Sequence, residues 1–257
     1  MSDFTPTPER QKMILALLTR QRRLSVTEIV EQFSISEATA RRDLEALAAQ
    51  GKVQRVHGGV IAAEQAPPEL PILERESEQA DEKKRIGLSA ASLVADKETV
   101  FLGSGTTVLE AARNLRNRKN LTVITNSLPV LNALAGADGI TVISLGGMLR
   151  DSEMSFIGHI TEQALTEVRA DKVIMGTRGL SLEHGLTNDY LQETLTDRAI
   201  LKIGREIIIV ADHTKVNRVA TALLAPLDRM QIFVTDSKAD KKFVQALKKL
   251  DIKVIVA

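Results

Sequence analysis

The chain has 257 residues, 44% hydrophobic and 26% charged, which suits one large domain or two ordinary ones and argues against global disorder. Its net charge of +1 points to no partner, because a local patch can hide inside a neutral total. With no cysteine there are no disulfides or thiolate metal sites, and the scattered His57, His159, His184 and His213 do not have the spacing of a zinc site. No run approaches the ~18 apolar residues of a membrane span, and the opening MSDFTPTPERQK lacks the basic-then-apolar order of a secretory signal. The expectation is a soluble, cytoplasmic protein with no metal, no cofactor and no membrane contact.

Three short helical patterns come first. PERQKMILALLTRQ carries Met13, Ile14, Leu17 and Leu18 as an apolar face. SVTEIVEQFS opens on a Ser/Thr cap region and spaces Ile29, Val30 and Phe33 helically. SEATARRDLEALAAQG follows, with Ser36 as cap and Gly51 as stop. In KVQRVHGGVIA the Gly58–Gly59 pair suits a positive-φ turn between two strands. Helix, helix, turn, helix and hairpin is the order of a winged helix-turn-helix, assigned to residues 1–62. That segment holds nine Lys and Arg against seven acids, an excess that permits nucleic-acid binding without requiring it.

On a helix at ~100° per residue, Ala40, Leu44, Leu47 and Ala48 share the core side, while Ala38, Thr39 and Arg42 lie opposite and Arg41 sits at the flank. Inserted N-terminus first into a major groove, such a helix offers Ser36, Ala38, Thr39, Arg41 and Arg42 to base edges and phosphates. Lys52 and Arg55 suit phosphate contacts from the wing, with His57 beside its turn. The plain alternative is that Arg41 and Arg42 are solvated and paired with Asp43 or Glu45.

Residues 63–78 include AEQAPPELP, with three of the seven prolines, and are assigned as a linker; an ordinary surface loop fits as well. The pattern SEQADEKKRIGLSAASLVA after it is helical. From residue 79 onward, apolar runs at 99–102, 121–124, 140–145, 171–176, 206–211, 232–235 and 253–257 read as buried strands. Helical patterns at 106–116, 127–135, 158–168, 189–203 and 238–249 lie between them. Continuous β-branched runs separated by helices imply a parallel sheet with helices on both faces, over residues 79–257. No internal repeat is visible.

Strand ends in such a sheet line a ligand crevice. In VFLGSGTTVLEAARNL, Gly103, Ser104, Gly105, Thr106 and Thr107 join a strand to a helix, where backbone N–H groups and the helix dipole suit a small phosphorylated ligand. Neither a dinucleotide fingerprint nor a P-loop is complete there, so a small phosphorylated ligand fits better, with a tight glycine connection as the plain alternative. VITNSLPV leaves Asn126 and Ser127 at a second strand end, and VISLGGMLR leaves Gly146 and Gly147 at a third. EHGLTNDY reads as a loop bearing Asn188 and Asp189, and VADHTK places Asp212 and Lys215 after a later strand. Asn and Asp at such places are also ordinary turn formers.

SEATARRDLEALAAQGKVQRVHGG resembles the N-terminal signature of the DeoR family of bacterial sugar-responsive repressors, although Ala40 is smaller than the branched residue often found there. Residues 75–257 resemble the family's sensor domain at Ser104, Gly105, Thr106, Thr107, Thr125, Asn126, Gly146, Gly147, Asp212 and Lys215. The resemblance implies a Rossmann-like, ribose 5-phosphate isomerase-related sensor for a phosphorylated sugar. It also implies a homo-oligomer, dimer or tetramer, that represses genes of sugar catabolism by binding operator DNA. The family often carries Asp where Gly103 stands, so a carboxylate that would hold a sugar hydroxyl is missing. The rivals are a sugar-phosphate isomerase bearing a DNA-binding arm, with Glu110, Glu183, Asp189, Glu193 or Asp212 as base, and a sensor that binds only protein.

Overall fold

A computed structural model describes residues 7–21, 23–49, 53–56, 58–62 and 71–257. The chain divides into two compact units, Met1–Pro68 and Glu69–Ala257.

In the first unit, α1 (Thr7–Gln21) is followed by the short strand β1 (Arg23–Ser25), then by α2 (Val26–Phe33) and α3 (Glu37–Ala49). A capping box starts α2: the Glu28 amide donates to Ser25 Oγ at 3.1 Å, and the Ser25 amide donates to Glu28 at 2.6 Å. Ser34, in the left-handed region at φ 50°, ends it and turns the chain into α3. The wing strands β2 (Val53–Val56) and β3 (Gly59–Ala62) pair antiparallel, and β1 adds to the far side of β3, giving the order β1-β3-β2. The hairpin expected from the sequence is thus a three-stranded sheet. Gly59 is obligatory at that seam, since a Cβ there would lie 2.2 Å from the Leu24 carbonyl oxygen.

Ile14, Leu18, Leu24, Ile29, Ala40, Leu44, Leu47 and Val60 form this unit's core. The small Ala40 is fully buried. Met13 is not on the core side as the pattern suggests; it is 51% exposed. A buried ion pair, Arg10 Nε to Asp43 Oδ2 at 2.6 Å, ties α1 to α3.

The second unit opens with α4 (Ile72–Arg75) and α5 (Ala80–Ala91). Of the linker assigned to 63–78, residues 63–70 lie outside the described residues, whereas α4 is docked: Ile72 and Arg75 are buried and the Ile72 amide donates to Ser152 O at 2.7 Å. Then follow β4 (Thr99–Leu102), α6 (Thr106–Leu115), β5 (Leu121–Thr125), α7 (Leu128–Leu134) and β6 (Ile140–Ser144). A hairpin of β7 (Met148–Arg150) and β8 (Ser155–Ile157) leads to α8 (His159–Thr166) and β9 (Ala170–Met175). Strands β10 (Gly179–Ser181) and β11 (Gly185–Asn188) precede α9 (Leu191–Ile203) and β12 (Gly204–Val210). The chain ends with β13 (Ala222–Ala225), β14 (Ile232–Thr235), α10 (Lys241–Lys249) and β15 (Lys253–Val256).

All seven expected runs form one parallel sheet, ordered β15-β14-β12-β9-β4-β5-β6. Their side chains alternate between two cores. Phe101, Val173, Ile207, Ile209 and Phe233 pack with Leu165, Ile200 and Phe243 on one face. Val100, Leu102, Ile174, Ile208 and Val210 pack with Ile86, Val108, Ala112 and Val130 on the other. Burial on both faces is why the five inner strands read as unbroken apolar runs, whereas the edge strands β6 and β15 are partly exposed. The small sheet β10-β11-β13 has no counterpart among the sequence patterns, and Asn188, expected in a loop, is the end of β11.

Candidate functional site

Two groups of residues stand out, one in each unit. In α3 every charged neighbour of Arg42 is engaged. Arg41 Nη2 holds Glu37 at 2.5 Å, Asp43 holds Arg10, and Glu45 holds Arg55 Nη1 at 3.0 Å. Arg42 is exposed and, among the described residues, makes no hydrogen bond or ion pair. The pairing of Arg41 and Arg42 with Asp43 or Glu45 is therefore not what the fold contains. Ser36 Oγ accepts from the Thr39 amide at 3.2 Å, serving as cap, and meets Thr39 Oγ1 at 2.9 Å. Ser36, Ala38, Arg41, Arg42 and Arg55 are exposed and Thr39 is half-buried. Lys52 and His57 lie outside the described residues.

In the second unit the strand order locates the crevice. From β4 the chain moves outward through β5 and β6; from β9 it moves the other way through β12, β14 and β15. The order therefore reverses between β4 and β9, and a ligand crevice is expected beyond their carboxyl ends. Gly103 to Thr107 follow β4 there, with the Gly103 amide bonded to Ile174 O at 3.0 Å. A Cβ on Gly103 would press against Met175 Cβ at 3.2 Å, so the aspartate familiar at this place would crowd the neighbouring strand. Gly105 stands at φ 111° with open space where a Cβ would be, at the start of α6, which has no side-chain cap. Its first amides are therefore available to an anion. Thr106 and Thr107 are buried, and Ser104 is half-buried.

Asp212 is not a free carboxylate: buried, it accepts from the Thr214 amide at 2.9 Å and caps the turn that presents Lys215. Lys215 is shifted below its ordinary pKa, first by burial, with Arg218, Arg178 and Arg75 pushing the same way and Asp212 opposing. The sequence reading missed a second lysine, Lys83 of α5. It is 6% exposed and donates to the Arg75 carbonyl at 2.6 Å. Burial lowers its pKa too; Asp212 opposes this, while Lys215 and Arg75 reinforce it. Lys83 and Lys215 thus share the carboxylate of Asp212 and are each disfavoured by the other cations, Arg75 among them. Each lysine gains by acquiring an anion. The signal for Lys83 was present: it shares a helix face with Ile86, Ala90 and the buried side of α5, where an unpaired lysine is costly.

The other expected residues divide. Asn126 donates to Phe156 O at 2.9 Å, pinning the β7–β8 hairpin, and its Oδ1 is buried with no partner among the described residues. Ser127 caps α7. Gly147 is demanded by packing, because a Cβ would lie 2.1 Å from Thr161 Oγ1, and that hydroxyl donates to Gly146 O at 2.8 Å. Asp189 faces Arg218 at 4.0 Å. Strand spacing of ~4.8 Å puts the ends of β6 and β12 about 19 Å apart, so Gly146–Gly147 and Lys215 bracket the crevice from opposite sides.

Beside the cations lies a buried acidic group. Glu153, in the turn of the β7–β8 hairpin, pairs with Arg75 and with Arg178, the latter at 2.5 Å, and burial raises its carboxyl to about 7. Glu193 pairs with Arg150 and accepts from Ser155 Oγ at 3.4 Å. Asp197, held up by burial, accepts from Asn188 at 2.7 Å. Among the described residues no cluster of His, Asp and Glu could hold a metal, and no helix is long and apolar enough to cross a membrane.

Comparison with known proteins gives concordant matches. The DeoR C terminal sensor domain model matches residues 78–237, and the DeoR-like helix-turn-helix domain model matches residues 10–66. The transcriptional repressor AccR of Agrobacterium fabrum is 33% identical over 95% of this chain and 99% of its own length. The glycerol-3-phosphate regulon repressor of Escherichia coli is 33% identical over 93% of this chain and 94% of its own. The regulator IolR of Bacillus subtilis is 32% identical over 86% and 88%. Among solved structures, ribose 5-phosphate isomerase A of Methanocaldococcus jannaschii overlaps 54% of this chain and 55% of its own at 16% identity and a TM-score of 0.40.

Proposed function

The chain belongs to the DeoR family of transcriptional regulators, and from that premise we propose how it reads DNA and what it senses. It is a repressor of sugar metabolism genes whose α3 enters the major groove of operator DNA. A phosphorylated sugar in the crevice between β4 and β9 changes its affinity for that operator. The observation that carries the DNA half is Arg42, an exposed cation left unpaired while Arg41, Asp43, Glu45 and Arg55 are all bound. Such a guanidinium suits bidentate contact with guanine O6 and N7.

For the sensor half, the phosphate is placed on the amides of Gly105–Thr107 and between Lys83 and Lys215, with Asn126 Oδ1 accepting from a hydroxyl of the sugar. Coupling requires that the ligand bind one DNA-affinity state better than the other. The regulator reading is favoured over a sugar-phosphate isomerase because most carboxylates able to act as an enediol base are committed elsewhere. Glu110 pairs with Arg113 at 2.6 Å, Glu193 with Arg150, and Asp212 with its own turn. Glu183 stands in solvent.

Selection from a random duplex library tests the reading. A repressor of this design enriches one palindromic sequence, since two copies of α3 read two half-sites. Recovery of unrelated duplexes, all lost alike with added salt, would leave only nonspecific phosphate binding.

A further inference from the structure

The short helix α4 is poorly able to hold itself. Four residues make a single turn, and its first residue has no side-chain cap. Helices of that length are unstable alone, so tertiary contacts must fix it. Three do so: the Ile72 amide on Ser152 O at 2.7 Å, the Arg75–Glu153 ion pair, and Lys83 Nζ on the Arg75 carbonyl at 2.6 Å. Two of these end on groups of the anion pocket. Lys83 is one of its two lysines, and Glu153 divides itself between Arg75 and Arg178. The same helix is the first described element after residue 62, on the path of the chain out of the helix-turn-helix unit.

We infer that α4 carries the state of the pocket to that connecting segment: an anion held by Lys83 and Lys215 draws Lys83 Nζ off the Arg75 carbonyl and loosens the docking of α4. The inference rests on the effector reading above. The ammonium exchanges a neutral carbonyl for a charged oxygen, which is the stronger partner, so the exchange runs toward the anion. The carbonyl it leaves keeps only the longer bond from the Glu78 amide at 3.2 Å in place of the charged donor at 2.6 Å, and α4 loses its tie to α5.

Hydrogen exchange on the full chain, with inorganic phosphate as the probe, tests this. Phosphate should slow the amides at 105–109 and speed those at 72–78 several-fold. Slowing at 105–109 with no change or added protection at 72–78 overturns the relay while the phosphate site stands. No response at either place means that the lysines hold no anion, and both readings fail. The Lys83→Met variant gives an independent check. Its amides at 72–78 should exchange quickly without phosphate and ignore it, while those of β4 and β9 stay protected as in the wild type. If 72–78 in that variant remain as slow as in the wild type, Lys83 does not hold α4 and the inference is wrong.

Discussion

Arg42 and Asp43 are adjacent in α3, yet one points to solvent and the other is 3% exposed against Arg10. Substituting each separates recognition from stability. Arg42→Ala should leave the unfolding midpoint unchanged and weaken operator binding by roughly 1–3 kcal/mol if the contact is to a base. Fluorescence anisotropy against specific and random duplexes reads this; equal weakening of both would make Arg42 a phosphate contact. In the sensor, Lys215→Ala should lower sugar-phosphate affinity about ten- to a hundredfold by calorimetry, the loss of one charge-assisted hydrogen bond worth roughly 1.5–3 kcal/mol. Glu153 adds a pH dependence. Its carboxyl rises from 4.5 to about 7 on folding because burial disfavours the charge. The folded state therefore binds more protons than the unfolded state in that interval, and the contribution, full below the unfolded value, is lost as pH rises through about 7. Urea midpoints should fall across the interval in the wild type, and that part of the fall should vanish in Glu153→Gln.

At the scale of elements, α1 and α3 are joined by a charge pair rather than by apolar contact alone. Asp43→Ala leaves Arg10 buried without its carboxylate, a cost of about 3–5 kcal/mol, so the first unit should unfold at markedly lower denaturant while the second does not. Two separate circular-dichroism transitions would show it, and an unshifted first transition would mean that the pair contributes nothing. Element length decided what was legible beforehand. The seven parallel strands were visible because each is apolar on both faces over four to seven residues. Strands β1, β7, β8 and β10 have three residues each, too few to show a period of two. α4 was hidden inside a proline-bearing stretch because its docking depends on Ser152 and Glu153, far away in sequence. The glycines after β4 were visible as a turn, but Lys83 acquires its meaning only from Asp212 and Lys215, which tertiary folding brings to it.

In the proposed reading the whole molecule couples a DNA-reading unit to an anion-binding one, and a single α3 spans only a few base pairs. A dimer or larger assembly is expected by light scattering at micromolar concentration, since two-fold symmetry doubles the contact on a palindrome. A monomer with full operator affinity would contradict that. Such coupling demands that ligand and operator affect each other's binding equally. The most direct measurement is an anisotropy titration of the selected operator, repeated with each of a panel of sugar phosphates and with the matching unphosphorylated sugars. One phosphorylated sugar should shift operator affinity tenfold or more, about 1.4 kcal/mol of coupling, while its unphosphorylated form does nothing. A shift produced equally by the free sugar, or by no compound in the panel while calorimetry shows one of them bound, would contradict a phosphate-gated repressor.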